Sequence, residues 1–231
     1  MTQAHDLAAT LQGAAAGATV TLAAGTYRGS LDLDRDLTLV AAPGAQVTLV
    51  ADAGLPLLRI QRDGLRLQLR GLHLHGGEAE TGGVLLQRGF SEVLAEDCIF
   101  RGGRARQAPG DALYVDAGTV SLRRCTVRGW GEGDSDAPAS PAAVLITGVG
   151  GLVAEDCTIV GAGDVVLQAR EQAEIRLSGG RVEHLGDGAA LGVHGTAHAR
   201  PDVAILDTEL VGSPEIAGDP DSRRRVRRSA S

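Results

Sequence analysis

Apolar and polar residues alternate along most of this chain, in short runs that are separated by Gly and Asp. Val120 and Leu122 form one such run, and Cys125 and Val127 form the next one. An amphipathic helix would repeat its apolar positions every 3.6 residues, so this alternation predicts short β-strands instead.

Three segments are copies of one sequence motif: SEVLAEDCIFRG (91–102), TVSLRRCTVRG (119–129) and GGLVAEDCTIVG (150–161). Their shared cysteine position also aligns with imperfect copies on both sides. The aligned positions are Leu72, Cys98, Cys125, Cys157, Gly180 and Thr208. A further short run, such as GVLLQ at 83 or AVLIT at 143, lies between the copies. Each repeat unit therefore contains three predicted strands.

Three short strands per unit of about 26 residues predict an all-β fold, a single-stranded right-handed parallel β-helix of about seven coils. The aligned positions would form one interior file. The residue before that file is Gly71, Asp97, Arg124, Asp156, Gly179 or Asp207. All except Arg124 tolerate the left-handed backbone that a one-residue corner needs. We expect Asp97, Arg124 and Asp156 to form a small charge ladder, and the three cysteines to stack in the core.

The chain resembles the pectate-lyase-like superfamily of right-handed β-helices, which has many bacterial members. The resemblance covers residues 18–212, and its opening, GATVTLAAGTYRGSLDLDRDLTLVAAPGAQVTL, is similar to the start of many such domains. It implies a capping helix within residues 1–17 and a β-helix over 18–213, and the change in composition that follows predicts a separate tail over 214–231. The helix, placed at residues 3–15, would cover the core with Leu7, Ala8 and Leu11.

The composition fits one domain, with 43% hydrophobic residues and 33 glycines. Asn and Lys are absent, so the asparagine ladders of that superfamily cannot form here. No signal-peptide-like stretch and no apolar run of about 18 residues is present, which predicts a cytoplasmic protein without membrane contact. The sequence predicts no cofactor.

In enzymes of that superfamily the substrate lies on the outer face of one sheet, here the sheet of the third strands. Aromatic rings that stack on sugars and polar groups near the strand ends would form a binding site there. The candidate binding residues are Gln87, Tyr114, Asp116, Trp130, Gln168 and His194.

Cleavage of a glycosidic bond needs two carboxyl groups roughly 5 to 9.5 Å apart. Asp116 is the one acid predicted in the middle of the face. A second would have to come from Glu132, Asp134 or Asp136 on the loop 129–142. The acidic signatures of the superfamily's hydrolases and lyases are absent, so we assign no catalytic residue.

The same face is predicted to expose an apolar stripe of Leu85, Leu145 and Val166, with Tyr114 between them. The loop 129–142 or the C-terminal segment could cover the stripe. Alternatively, the stripe is a surface for a protein partner or for self-association.

On another strand, His73 and His75 share a face, which is a geometry that can bind zinc. No third ligand is evident, so we predict no metal site. His75, Arg101 and Arg128 could instead form a basic stripe for an acidic polymer such as an acidic polysaccharide.

The tail after residue 213 has five arginines between Arg223 and Arg228 and no periodic apolar pattern, which predicts disorder. The net charge of −7 argues against nucleic acid as a ligand, except for weak contact through this tail. Two functions stay open: a noncatalytic binding or scaffold protein, or a carbohydrate-active lyase, hydrolase or epimerase.

Overall fold

The computed structural model describes residues 4–77, 83–103, 112–129, 142–196, 198–223 and 226–229. Over these ranges the chain forms a right-handed parallel β-solenoid of about eight turns. The predicted fold class is therefore confirmed, and the coil count is close to the seven predicted.

The first half of the chain contains β1 (His5–Asp6), α1 (Leu7–Leu11), β2 (Ala18–Leu22), β3 (Gly25–Arg28), β4 (Leu31–Asp32), β5 (Leu37–Ala41), β6 (Val47–Val50), β7 (Leu58–Ile60), β8 (Arg66–Arg70), β9 (Leu72–His75), β10 (Leu85–Gln87), β11 (Glu92–Glu96) and β12 (Ile99–Arg101). The second half contains β13 (Leu113–Val115), β14 (Thr119–Arg123), β15 (Thr126–Arg128), β16 (Ala142–Ile146), β17 (Gly151–Glu155), β18 (Thr158–Gly161), β19 (Val165–Arg170), β20 (Glu174–Ser178), β21 (Arg181–His184), β22 (Ala189–His194), β23 (Asp202–Leu206), β24 (Glu209–Val211), β25 (Ile216–Gly218), α2 (Pro220–Arg223) and β26 (Val226–Ser229).

These strands form three parallel sheets within the described residues. Sheet A runs β1-β3-β6-β9-β12-β15-β18-β21-β24. Sheet B runs β2-β5-β8-β11-β14-β17-β20-β23-β26, and sheet C runs β4-β7-β10-β13-β16-β19-β22-β25. Each strand pairs with the strands one coil before and after it, so equivalent residues form columns along the solenoid axis.

The corner between sheets B and A confirms the predicted backbone conformation. Its six residues all have a positive φ: Gly71 (66°), Asp97 (54°), Arg124 (49°), Asp156 (51°), Gly179 (64°) and Asp207 (49°). The left-handed region costs a residue with a Cβ about 1 to 2 kcal/mol. Arg124 adopts it too, and its guanidinium pairs with Asp97 (Nε to Oδ1, 2.8 Å) and with Glu96 (Nη2 to Oε1, 2.7 Å).

The six aligned positions follow one another coil by coil. The amides that come after this position donate to the carbonyl oxygens of Cys98, Cys125, Cys157 and Gly180 in the preceding coil. Leu72 and the three cysteines are buried in the core, as predicted. Thr208 is only half-buried and Gly180 is exposed, so the file becomes shallow at its C-terminal end.

The three thiols influence one another across the coils. Hydrogen bonds from the Cys157 and Cys98 thiols lower the pKa of Cys125. Hydrogen bonds to Cys125, together with burial, raise the pKa of Cys98 and of Cys157. The three thiols therefore interact with one another along the file instead of acting as independent core side chains.

The N-terminal helix is shorter than predicted, covering Leu7–Leu11. Asp6 caps it by accepting a hydrogen bond from the Ala9 amide at 2.9 Å. Leu7 and Leu11 are buried against the core, whereas Ala8 is exposed. Two leucines, rather than three residues, thus cover the first coil.

The tail differs from the prediction of disorder. Its segment 216–218 pairs with β22 and its segment 226–229 pairs with β23, so both extend the sheets by one strand. Arg227 contacts Asp202 (2.7 Å) and Arg228 contacts Glu215 (2.9 Å). Sequence periodicity missed these strands because each offers the main core a single partly buried apolar residue, Ile216 in one and Val226 in the other.

Candidate functional site

Sheet C, the predicted binding face, has a different register from the one predicted. Its central outward column reads Asp32, Arg59, Leu86, Tyr114, Leu145, Gln168, Gly192 and Ala217. Tyr114 and Leu145 occupy the predicted column. Leu85 and Val166 do not, because both side chains are fully buried in the core.

The misplacement has a physical cause at the entry to each sheet C strand. Two consecutive residues point into the core there, as in Val84 and Leu85 or Val166 and Leu167. Strict alternation assumes that only one of each pair is buried. Counting by alternation through this corner therefore misassigns the column, by one residue at Leu85 and by two at Val166.

The predicted apolar stripe is not an exposed surface. Leu86 takes the place of Leu85 and is 7% exposed, while Leu145 is 1% and Gln168 is 5% exposed. The described residues of this column therefore form no open apolar stripe for self-association. Trp130 and the rest of the segment 130–141 lie outside the described residues.

Gln87 also differs from its predicted outward position. It pairs in register with Ile60 and Val115, and its side chain is fully buried. Its Nε2 donates a hydrogen bond to the Ser91 carbonyl oxygen at 2.7 Å, and its Oε1 has no partner among the described residues. The Gln87 side chain therefore stabilises the corner between sheets C and B, and it cannot contact a ligand on the surface.

A second outward column at the strand ends contains the remaining candidates. It reads Gln61, Arg88, Asp116, Thr147, Arg170 and His194. Asp116 is half-buried, and His194 is exposed several coils away. Gln168 belongs to the neighbouring central column.

Polar groups converge around Tyr114. The Arg88 guanidinium carbon lies 5.8 Å from the centre of the Tyr114 ring, a cation–π distance. Burial, together with the nearby charge of Asp116, raises the pKa of Tyr114. Glu171 also contributes to this shift, although sequence reasoning did not include it in the site.

Asp116 and Glu171 flank the same backbone position, Gly148. Glu171 Oε2 accepts a hydrogen bond from the Gly148 amide at 3.0 Å. On the other side, Asp116 Oδ1 lies 2.5 Å from the point that a Cβ on Gly148 would occupy. A side chain at this position would displace the Asp116 carboxylate, so glycine permits the close approach.

A concave surface lies on sheet B, away from these carboxylates. Two adjoining hollows of about 250 and 460 Å³ share Val153 and Glu155 and form one trough along the solenoid axis. Its floor column reads Gln68, Leu94, Ser121, Val153, Arg176, Ala204 and Arg227. Its wall column reads Arg70, Glu96, Arg123, Glu155, Ser178, Leu206 and Ser229.

Side chains of opposite charge alternate along the wall of this sheet B trough. Glu96 lies 3.8 Å from Arg70 Nε and 3.7 Å from Arg123 Nη1, and Arg123 Nε lies 3.4 Å from Glu155. Because these side chains pair with one another along the axis, they leave the adjacent floor residues uncovered. Leu94, Ser121 and Val153 stay half-exposed as a result.

The basic stripe predicted on sheet A is present. His73 pairs with Ile99, His75 pairs with Arg101, and Arg101 pairs with Arg128. Within the described parts of the chain, no group of three or more metal-ligating side chains forms a metal site.

No family model, curated protein or solved structure matches this chain. No helix among the described residues is long and apolar enough to span a membrane.

Sequence reasoning missed two features, the trough and Glu171. The trough had a readable signal, since Arg70, Glu96, Arg123 and Glu155 recur at one repeat position with alternating sign. Glu171 had none, because its carboxylate reaches back one coil from a left-handed backbone position (φ 58°).

Proposed function

We propose that this protein is a noncatalytic binding protein whose sheet B trough holds an extended segment of a protein partner. The observation that supports this proposal is the continuous hollow between the Ser121 and Arg123 columns. Its charged side chains are engaged in ion pairs with one another rather than directed at a reacting group.

The dimensions of the trough suit an extended chain. It crosses seven coils, and strands in neighbouring coils are about 4.8 Å apart, which gives a length of roughly 29 Å. An extended polypeptide rises about 3.3 Å per residue, so a segment of roughly nine residues would fill it.

The chemistry of the lining favours a polypeptide over a glycan. Leu94, Val153 and Leu206 offer apolar contacts beside a wall of both charge signs. Sugar rings bind best on aromatic side chains, and the lining residues that the structure describes include none. A peptide with alternating apolar and charged side chains would complement both columns.

Selection from a displayed library of random peptides against the immobilised full-length protein tests the proposal. We expect enriched peptides that carry alternating apolar and charged residues. Replacing Ser121 by Arg fills the middle of the floor, and we expect this variant to bind a selected peptide at least about tenfold more weakly, a loss of about 1.4 kcal/mol.

The matched control is Thr126→Arg, since Thr126 is also half-buried and lies in the same coil, but on sheet A. Calorimetric titration of both variants should show weaker binding only for Ser121→Arg. The proposal fails if no peptide is enriched, or if both variants bind as tightly as the native protein.

A second candidate is a carbohydrate-active enzyme, as the resemblance to pectate-lyase-like proteins implies. The observation in its favour is the approach of Asp116 and Glu171 to Gly148, beside Tyr114 and Arg88. Two carboxyl groups are what a glycosidase needs.

Incubation with uronate-containing and neutral polysaccharides, followed by assays for new reducing ends and for unsaturated products, tests this candidate. We expect any genuine activity to fall at least about a hundredfold in Asp116→Asn and in Glu171→Gln. Activity that survives both substitutions would remove this site from consideration.

A further inference from the structure

Sheet A carries a cluster of basic side chains that neither candidate function uses. His73 and His75 lie two residues apart on β9, and Arg101 lies beside His75 on β12. Arg128 follows Arg101 in the next coil. Both histidines are half-buried, and Arg101 is exposed. We call His73, His75 and Arg101 the basic cluster.

The charge arrangement in this cluster is opposite to the arrangement elsewhere on the solenoid. In the sheet B wall, Arg and Glu alternate from coil to coil, and on sheet A itself Arg181 is followed by Glu209, with 2.8 Å between the groups. Like charges in directly opposite positions of neighbouring strands destabilise a sheet. The column His75, Arg101, Arg128 nevertheless places three basic side chains in succession.

No acidic residue of the two outward columns lies near the cluster. From the coil before it to the coil of Val160, one column reads Thr48, His73, Ile99, Thr126 and Thr158, and the other reads Val50, His75, Arg101, Arg128 and Val160. Within the described part of the chain, Arg101 makes no ion pair. The first acid farther along is Glu183, which is already paired with Arg181 at 2.8 Å.

Among the described residues of these two columns, no carboxylate offsets the charge of the cluster. Burial, together with the charges of Arg101 and His73, lowers the pKa of His75. A bound anion would offset this repulsion and would favour the charged form of His75.

We propose that the basic cluster binds a small ligand through a tetrahedral oxyanion, a phosphoryl or sulfuryl group. Such a group presents several acceptor oxygens, so one oxyanion can accept from the forked Arg101 guanidinium and from a histidine together.

The size of the cluster favours a compact ligand over a polymer. It spans one coil spacing, about 4.8 Å, by two residues along a strand, about 6.6 Å. The protein carries a net charge of −7, which repels a long polyanion but matters less for a single group.

Titration of the isotope-labelled full-length protein with inorganic pyrophosphate, and separately with inorganic sulfate, tests the proposal. The readout is the NMR signals of the histidine rings and the arginine side chains. We expect saturable shifts at His73, His75 and Arg101, and binding that weakens as sodium chloride is added.

The Arg101→Gln variant should lose at least about tenfold in affinity, since it removes the forked donor. Arg66→Gln is the matched control, because Arg66 is an exposed arginine on sheet B that is paired with Glu92 and does not line the trough. Saturation by pyrophosphate alone assigns a phosphoryl ligand, saturation by sulfate alone a sulfuryl ligand, and saturation by both the shared class.

The proposal is wrong if neither anion saturates these signals at millimolar concentrations, or if Arg101→Gln binds as tightly as the native protein. The cluster lies on a different sheet from the trough, so either result leaves the peptide-binding proposal unaffected.

Discussion

At the corners between sheets B and A, the conformation of one residue sets how sharply the chain turns. From Gly71 to Asp207, each of the six aligned corners between sheets B and A has one left-handed residue, and Arg124 is a residue for which that conformation is unfavourable. Its ion pairs with Asp97 and Glu96 lie at the surface, where such pairs contribute little. Backbone geometry should therefore outweigh charge at this corner.

We predict that Arg124→Gly raises the free energy of unfolding, because glycine adopts a positive φ without steric cost. Arg124→Ala should lower it slightly, since alanine keeps the strain and loses the ion pairs. Urea unfolding of the two variants measures the difference. Equal effects in the same direction would show that the ion pairs, and not the backbone, control this corner.

The basic cluster makes a prediction about pH. His75 has a lowered pKa in the folded protein, so between that value and the ordinary value of about 6.5 the unfolded chain binds more protons. The contribution of His75 to stability therefore falls as the pH decreases through this window. Arg101→Gln removes a neighbouring positive charge and should raise the pKa of His75.

An NMR titration of the His75 ring in the native protein and in Arg101→Gln measures that change. Unfolding at several pH values should also show a smaller acid-dependent loss of stability in the variant. An unchanged His75 titration would mean that burial alone, the largest cause, sets its pKa.

The repeat pattern predicts the inward and outward positions of a strand well only where apolar and polar residues alternate regularly. The corners and the cysteine file follow directly from the aligned repeats, since Gly or Asp occupies five of the six corner positions and Cys occupies three of the six file positions. Leu85 and Val166 were misplaced because two residues in a row turn inward at the sheet C entry. Alternation alone cannot assign the inward and outward positions of a strand in which two consecutive residues are buried.

The helix α1 closes the N-terminal end of the core. We predict that Leu11→Ala lowers the free energy of unfolding by about 2 to 4 kcal/mol, because it leaves a cavity against the first coil. Gln12→Ala is the control, since Gln12 is the next residue and is exposed. Thermal and urea unfolding measure both. A Leu11→Ala variant as stable as the control would mean that α1 does not seal the core.

The C-terminal strands close the other end. We predict that a variant ending at Val211 exposes backbone groups of β22 and β23, because β25 and β26 no longer pair with them. Hydrogen exchange of β23 amides should become faster, while β11 and β14 amides should be unaffected. Unchanged exchange in β23 would restore the interpretation of the tail as a disordered segment.

Along its full length the solenoid presents three faces with three different chemistries. Sheet A carries the basic cluster, and sheet B carries the trough. Sheet C carries the site where the Asp116 and Glu171 carboxylates approach Gly148. The sequence predicted Tyr114, Asp116 and the basic stripe, because their repeat positions are explicit. The alternating charges of the trough wall were readable at one repeat position, but the hollow itself depends on how those side chains pair between neighbouring coils, which the sequence does not state.

The central claim is that the sheet B trough is the binding surface, and methyl groups on two faces allow a direct test. The measurement is a titration of methyl-labelled protein with a selected peptide. We predict that the Leu94, Val153 and Leu206 methyl signals shift together and saturate, while those of Leu86 and Leu145 on sheet C stay unchanged. Saturable shifts at Leu86 and Leu145, with none at Leu94 and Val153, would contradict the account.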